Sequence, residues 1–243
     1  MIPNRHFRVL PDGRLEFNEG IIHPEPDVRR LKDAGNVLYK EVPLDDRPLY
    51  YMYRDVHFAK DADMIKKSGI RYDITVILPG TIEGEFIKTV GHFHPLKPGS
   101  NDTYPEYYEV LSGRALYLLQ KKDANGDVAE FIAVEAQAGD KVFIPPNYGH
   151  ITVNPGTEPL VMANLIEATF KSDYGPFAEK RGAAYYVLQD NGSYKFVRNQ
   201  NYRNQVPVTL RKATELSHPT PAVEGRTLYE ALIEVPEELE FLK

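Results

Sequence analysis

The sequence contains no cysteine, no run of basic residues and no long apolar segment. Without cysteine, the chain has neither a disulfide framework nor a thiolate centre. No stretch approaches the ~20 continuous apolar residues of a membrane-spanning helix, so no membrane partner is expected. The 29 Lys and Arg residues are outnumbered by 35 Asp and Glu residues, and the formal net charge is −6. This balance argues against a nucleic-acid partner bound through phosphate contacts.

The amino-terminal residues are polar and lack the apolar core of a secretion signal. We therefore expect a soluble protein of the cytoplasm. A length of 243 residues, with 42% hydrophobic and 26% charged residues, is enough for a sizeable hydrophobic core.

The chain does contain 19 prolines and 16 tyrosines. Prolines dispersed between short apolar runs favour many short strands over long helices. Roughly eight strand candidates, separated by turn signals such as Pro-Gly and Asn-Gly pairs, predict an all-β closed barrel or jelly roll. The candidates are 49–58, 72–78, 85–90, 106–120, 128–134, 141–144, 150–153 and 160–166.

Additional elements flank this set of strands. Residues 7–17 and 183–198 are predicted to form hairpins that turn at Asp-Gly and Asn-Gly pairs. The Pro-Asp start of 26–33 predicts a short helix, and 175–182 has room for one or two helical turns. Residues 217–225 are typical of a linker that contains proline.

A carboxy-terminal helix is predicted immediately after that linker. Thr227 and Glu230 have the spacing of a capping box, and an apolar helical pattern of Leu228, Leu232 and Ile233 begins there.

The most informative segment for chemistry is Gly91-His-Phe-His94. On a strand, His92 and His94 face the same side because side chains alternate with a period of two. A third histidine, His150, opens a later strand, and Glu106 opens the strand between them. Three imidazoles and one carboxylate suit a first-row divalent cation, with Fe²⁺, Mn²⁺, Ni²⁺ and Zn²⁺ all acceptable.

The carboxylate ligand has three candidates: Glu106, Asp102 and Glu109. On a regular strand, Glu106 and Tyr108 face one side, whereas Tyr107 and Glu109 face the other. A β-bulge within the strand would reverse this assignment.

These residues resemble the two signature motifs of the cupin superfamily. After the His-x-His pair, Glu106 and Gly113 have the spacing of the Glu and Gly of the first motif, with six residues between them. Residues Gly139, Pro145, His150 and Asn154 reproduce the second. The resemblance implies a cupin jelly-roll barrel, with residues 95–105 as an insertion between the histidine pair and Glu106.

The chain further resembles one cupin family, the cupin-type glucose-6-phosphate isomerases of archaea and some bacteria, over residues 20–204. The matching pieces are VRRL at 28–31, TVILPG at 75–80, GHFH at 91–94, LLQ at 118–120, VFIPP at 142–146, H-x-TVN at 150–154, and DYG at 173–175 with AEK at 178–180. This implies an isomerase domain over 1–204, followed by a linker and helical extension over 205–243.

The resemblance also implies a set of site residues. The metal ligands are His92, His94, Glu106 and His150, with Fe²⁺ the expected cation. Glu106 and Tyr108 are the expected catalytic residues. The remaining substrate-binding positions are Tyr51, Thr75, Thr89, Gly91 and Tyr174.

The implied reaction interconverts glucose 6-phosphate and fructose 6-phosphate through an enediolate, in a homodimer. Glu106 is the candidate base, and a hydride shift is the alternative mechanism. Extra positive charge for the substrate is expected from Lys88, Lys97 or Lys171. Two other functions remain open: a non-haem iron dioxygenase with the same ligands, and a non-catalytic sugar-binding cupin.

Overall fold

The structure is a computed structural model that describes residues 6–243. The first five residues of the predicted domain 1–204 therefore lie outside the described part. Strands dominate residues 6–243 and are named in chain order: β1 (Phe7–Val9), β2 (Leu15–Phe17), β3 (Ile21–Ile22), β4 (Asp27–Arg30), β5 (Pro48–Tyr53), β6 (His57–Phe58), β7 (Ile70–Ile77), β8 (Thr81–Ile82), β9 (Glu85–Phe86), β10 (Glu106–Ser112), β11 (Arg114–Lys122), β12 (Val128–Gln137), β13 (Lys141–Ile144), β14 (Tyr148–Val153), β15 (Leu160–Glu167), β16 (Tyr185–Asp190), β17 (Ser193–Arg198) and β18 (Val208–Lys212).

The helices of the described chain are short. The α-helices are α1 (Leu31–Ala34), α2 (Ala62–Ser68), α3 (Gly175–Glu179) and α4 (Leu228–Glu234). Short 3₁₀ helices occupy Gly35–Val37, Ala59–Asp61, Ala213–Glu215, Pro221–Val223 and Pro236–Leu242. Among residues 6–243, none of these helices has the length and apolarity that crossing a membrane requires.

Two main sheets contain the core between them. An antiparallel six-stranded sheet has the order β13-β10-β15-β7-β5-β4, and a four-stranded sheet has the order β14-β11-β12-β18. Buried side chains of both sheets, including Tyr108, Met162, Leu118, Phe131 and Val153, form one apolar cluster. The predicted jelly-roll architecture with short flanking helices and a carboxy-terminal helical extension is confirmed.

The segment that carries the histidine pair lies against the edge strand β14. Isolated bridges join Lys88 to Val153 and His92 to His150. This pairing brings the two predicted metal motifs to the same place, although they lie far apart in the sequence.

The carboxy-terminal residues pack onto the same body. Strand β18 pairs in parallel with β12. Helix α4 buries Leu228, Tyr229 and Leu232 against the outer face of the six-stranded sheet, in a second apolar cluster that also contains Tyr107 and Val161. The capping box at Thr227 and Glu230 starts this helix, as predicted.

Several predicted boundaries are wrong. Residues 27–30 form strand β4, because Val28 and Arg29 pair with Tyr51 and Tyr50, so the helix predicted over 26–33 begins only at Leu31. The strand predicted over 106–120 is divided at Gly113, which has a φ of +87°.

The strand predicted over 49–58 is also interrupted, at Asp55, which has a φ of +54°. The strand predicted over 85–90 ends at Phe86. Both predicted hairpins and the strand at 141–144 are confirmed.

Candidate metal centre

Four potential metal ligands converge on one point. His92, His94, Glu106 and His150 each offer an atom, and these atoms all lie within 4.8 Å of one another. The Nε2 atoms of His92 and His94 are 3.1 Å apart. Two ligands bound at right angles at about 2.1 Å from a cation would be separated by about 3.0 Å. The structure thus brings together the four residues that the sequence motifs indicated.

Local backbone features place the two histidines of the pair. Gly91 has a φ of +75°, and a Cβ atom there would lie 2.2 Å from Cγ1 of Ile151. Glycine is therefore required for the close approach of this segment to β14. His94 Nδ1 lies 2.8 Å from the carbonyl oxygen of Tyr104, in the 95–105 loop. An Nδ1–H donated to that carbonyl leaves the Nε2 lone pair directed at the cluster.

Glu106 supplies the carboxylate at the buried end of the cluster. Its Oε2 lies 3.0 Å from His150 Nε2 and 3.3 Å from His94 Nε2. Neither contact has hydrogen-bond geometry, so this buried oxygen has no hydrogen-bond partner among the described residues. A buried carboxylate oxygen without a donor is costly, and a cation would satisfy it.

Burial and mutual repulsion control the protonation of the cluster. Burial, and then the charges of His150 and His94, lower the pKa of His92 well below its usual value. Burial also lowers the pKa of His150, against the opposing effect of Glu106. For Glu106, burial acts to raise the pKa, but His150 and His94 hold it well below its usual range. Neutral imidazoles beside an ionised carboxylate are the protonation states that metal binding needs.

The predicted alternation of strand β10 holds across the site. Tyr108 lies on the same side as Glu106, with its hydroxyl 3.2 Å from His150 Nε2. Glu109 lies on the other side, where its Oε2 accepts a hydrogen bond of 2.8 Å from the backbone N–H of Leu228. The irregularity in this strand falls between Val110 and Ser112, beyond these residues.

The other carboxylate candidates do not join the cluster. Glu109 is on the outer face, and Asp102 accepts a hydrogen bond of 2.7 Å from the side chain of Asn147. Glu106 is therefore the carboxylate of the site. Burial raises the pKa of Tyr108 well above its usual value, and Glu106 raises it further, so the Tyr108 hydroxyl remains a neutral donor.

Tyr51, one of the predicted substrate-binding residues, does not reach the cluster. It faces the outer apolar cluster beneath the amino-terminal hairpin. Its neighbour Tyr50 faces inward, and the Tyr50 hydroxyl accepts a hydrogen bond of 3.2 Å from the N–H of Val90. Because alternate residues of a strand face opposite sides, a shift of one residue exchanges the two tyrosines.

The other predicted positions lie nearer the site. The ring of Tyr174, which is 41% exposed, is 5.6 Å from the ring of His92. Thr75 pairs with Met52 and Met162, whose side chains belong to the inner core, and faces the same interior. The hydroxyl of Thr89 accepts a hydrogen bond of 3.0 Å from the N–H of Thr152.

The lysines expected to supply positive charge do not lie in the cluster. Lys88 is buried, forms an ion pair with Glu85 and donates to the Val37 carbonyl. Lys97 donates to the carbonyl of Phe241, 2.8 Å away. Lys171 is exposed.

Two arginines, which sequence reasoning missed, approach this end of the barrel instead. Arg54 forms a 3.2 Å ion pair with the buried carboxylate of Asp73 and acts electrostatically on His92. The guanidinium of Arg29 lies 5.7 Å from the ring centre of Tyr174. Tyr50 is the sequence signal that could have identified Arg29. A residue that pairs directly with Tyr50 across two strands lies on the same inner face of the sheet.

Comparison with known proteins identifies the family to which the chain belongs. The model of the family "Glucose-6-phosphate isomerase (GPI)" matches residues 28–205. The glucose-6-phosphate isomerase of Pyrococcus horikoshii is 31% identical over 198 residues, which is 79% of this chain and 96% of that protein. That of Pyrococcus furiosus is 32% identical over 197 residues, 78% of this chain and 95% of that protein.

Among solved structures, a mutant of oxalate decarboxylase from Bacillus subtilis is 22% identical, with a TM-score of 0.36, and covers 51% of this chain and 28% of its own. The family match spans both metal motifs and most of the barrel, and the Pyrococcus isomerases are aligned over nearly their whole length. The chain therefore belongs to the cupin-type glucose-6-phosphate isomerase family.

Proposed function

We propose that this protein is a metal-dependent aldose–ketose isomerase that interconverts glucose 6-phosphate and fructose 6-phosphate, a step of glycolysis and gluconeogenesis. The observation that carries the proposal is the His92, His94, Glu106 and His150 cluster in a chain of this family. A solvent-accessible tyrosine, Tyr174, lies beside His92, so the cluster has an open side for a substrate.

The reaction needs a base that moves a proton between C1 and C2 of the sugar. Glu106 is ionised, because His150 and His94 hold its pKa well below its usual range. It is therefore the group in the cluster that can accept this proton and return it to the neighbouring carbon. The neutral hydroxyl of Tyr108, on the same side of β10, is placed to donate to a sugar oxygen.

His92, His94, Glu106 and His150 would hold one divalent cation per subunit. A cation held there would supply Lewis-acid stabilisation of negative charge that develops on the substrate. The proposed metal is Fe²⁺, with Mn²⁺, Ni²⁺ and Zn²⁺ also compatible with three imidazoles and a carboxylate.

The proposal includes Thr75, Thr89 and the Gly91 backbone as substrate contacts. It also includes a homodimer in the cytoplasm as the active form.

A coupled assay with chelated protein tests the function. We expect EDTA-treated protein to lose conversion of glucose 6-phosphate to fructose 6-phosphate, and the addition of single divalent metals to restore it. Full activity of the chelated protein would remove the metal from the mechanism. Oxygen consumption without isomerisation would instead identify a dioxygenase.

The same assay in D₂O separates the two chemical routes. Transfer through Glu106 and an enediolate exchanges the proton with solvent, so deuterium should enter the product at C1 or C2. Complete retention of the substrate hydrogen would indicate a hydride shift.

A further inference from the structure

Arg29 differs from the other arginines near the site because it lacks an acidic partner. Its Nε is buried and has no hydrogen-bond partner among residues 6–243. In the described part of the chain, Arg54 and Arg71 both form ion pairs with Asp73, whereas Arg29 forms no ion pair. The Arg29 side chain as a whole is only partly buried, but a guanidinium nitrogen removed from water without a partner carries a desolvation cost.

The strand register directs Arg29 to the interior. Arg29 is paired with Tyr50 across β4 and β5, and directly paired residues share a face of the sheet. Tyr50 belongs to the inner core cluster. Its neighbour Arg30 follows a shift in the strand register and donates a hydrogen bond of 2.6 Å to the carbonyl of Asp46.

Two tyrosines connect Arg29 to the rest of the site. Burial raises the pKa of Tyr50, and the adjacent Arg29 charge opposes that effect. The Tyr50 hydroxyl also contacts the N–H of Val90, in the segment that continues to Gly91 and His92. The ring of Tyr174 is close to both groups: its centre lies 5.7 Å from the guanidinium carbon of Arg29 and 5.6 Å from the centre of the His92 ring.

We propose that Arg29 binds the phosphate group of the substrate, an inference that rests on the proposed sugar-phosphate isomerisation. A hexose 6-phosphate carries its phosphate at the end of the carbon chain opposite C1 and C2. Substrate whose C1 and C2 lie at the histidine cluster would extend its phosphate past Tyr174 to the guanidinium. Arginine binds phosphate through two parallel hydrogen bonds. The phosphate would therefore be the counter-ion of Arg29, which has no acidic side chain as a partner among the described residues.

The assignment gives Arg29 a role in specificity. An unphosphorylated sugar would leave the buried Nε of Arg29 unpaired, so glucose should be a far poorer substrate than glucose 6-phosphate. Arg54, already neutralised by Asp73, would contribute less to this discrimination.

Arg29→Gln and Arg30→Gln form a matched pair for the test, since they remove the same charge from adjacent positions with different contacts: Arg29 lies near the ring of Tyr174, and Arg30 binds the carbonyl of Asp46. Binding of inorganic phosphate to the metal-loaded protein is measured by calorimetry, and KM and kcat are measured for glucose 6-phosphate. We expect Arg29→Gln to weaken phosphate binding and to raise KM about tenfold to a hundredfold. Arg30→Gln should leave both unchanged.

Arg29→Lys keeps the positive charge but loses the planar guanidinium, so we expect an affinity for phosphate between those of the wild type and Arg29→Gln. It also serves as a second variant if Arg29→Gln does not fold. Phosphate binding and KM that stay at the wild-type value in folded Arg29 variants would overturn the inference while leaving the isomerase proposal intact. Conversely, phosphate binding that depends on Arg29 in a protein without isomerase activity would support the inference and overturn the proposed function.

Discussion

Glu106 and Glu109 lie three positions apart on one strand and face opposite sides of the sheet. Glu106 lies in the histidine cluster, whereas Glu109 contacts the N–H of Leu228 and lies 4.0 Å from Lys141. The same chemical change at the two positions therefore separates a catalytic role from a structural one.

Glu106→Gln should lower kcat at least about a hundredfold, because the amide cannot act as a base. Glu109→Gln should leave kcat nearly unchanged, since a glutamine oxygen can still accept the Leu228 N–H. Steady-state kinetics of both variants, with the metal content measured in parallel, checks this prediction. Equal losses in the two variants would contradict the assignment of Glu106 as the base and of Glu109 to the opposite face of β10.

Thr89 combines a structural contact with a proposed phosphate contact. Its hydroxyl oxygen accepts the N–H of Thr152, and its hydroxyl proton remains available to a substrate. Thr89→Val should raise KM for glucose 6-phosphate about tenfold to a hundredfold. It should also lower the free energy of unfolding by about 1–3 kcal/mol, because the Thr152 N–H loses its acceptor.

Thr89→Ser serves as the control, since it keeps the hydroxyl and should retain both KM and stability. Kinetics and urea unfolding measure the two effects independently. A valine variant that is destabilised but has an unchanged KM would restrict Thr89 to its contact with Thr152.

Helix α4 begins at a capping box that is visible in the sequence, and its apolar side chains then pack against the six-stranded sheet. The Thr227 hydroxyl accepts the Glu230 N–H at 3.1 Å, and the Glu230 carboxylate accepts the Thr227 N–H at 2.9 Å. The helix then buries Leu228 and Leu232 completely. It thereby covers the face of the sheet opposite the metal centre.

Thr227→Ala should lower the free energy of unfolding by about 1 kcal/mol, the usual cost of losing an amino-terminal cap. The kcat should not change, because the helix lies behind the sheet from the substrate. Urea unfolding and the coupled assay provide the two measurements. Thr157→Ala, in an exposed turn, is the control, and an equal loss of stability there would contradict a specific role of the cap.

At the scale of the whole molecule, the six-stranded sheet separates two regions. Glu106 and Tyr108 face the metal centre on one side. Tyr107, between them, contacts His218 of the extension on the other. The extension also reaches the loop behind His94, because Lys97 binds the carbonyl of Phe241. The carboxy-terminal residues therefore support the site without entering it.

Metal binding should stabilise the whole fold, since its ligands come from distant parts of the chain. At a free metal concentration of about 100 times Kd, the free energy of unfolding should rise by about 2.7 kcal/mol. For a chain of this size, this corresponds to an increase in Tm of about 5–10 °C. Thermal unfolding of the chelated and the metal-loaded protein measures the difference.

His92→Ala should abolish this increase in Tm, and His218→Ala should retain it, because His218 contacts Tyr107 rather than the cluster. An equal metal-dependent shift in the His92 variant would contradict the assigned ligand set.

Local chemistry in the sequence by itself determined many features of this protein. The Asp12-Gly13 and Asn191-Gly192 turns, and the cap at Thr227, depend on residues within a few positions of one another. The spacing of His92 and His94 determined their common face, and two motifs were sufficient to identify all four clustered ligands.

Tertiary structure decided the features that depend on partners distant in the sequence. Strand pairing turned 27–30 from the expected helix into β4, placed Tyr50 rather than Tyr51 inward and put Arg29 on the same inner face as Tyr50. Burial against Glu85 removed Lys88 from the candidates for substrate binding. The physical reason is that the identity of a residue limits what its side chain can bind, whereas the pairing of its strand determines which face of the sheet the side chain occupies and which charged groups lie near it.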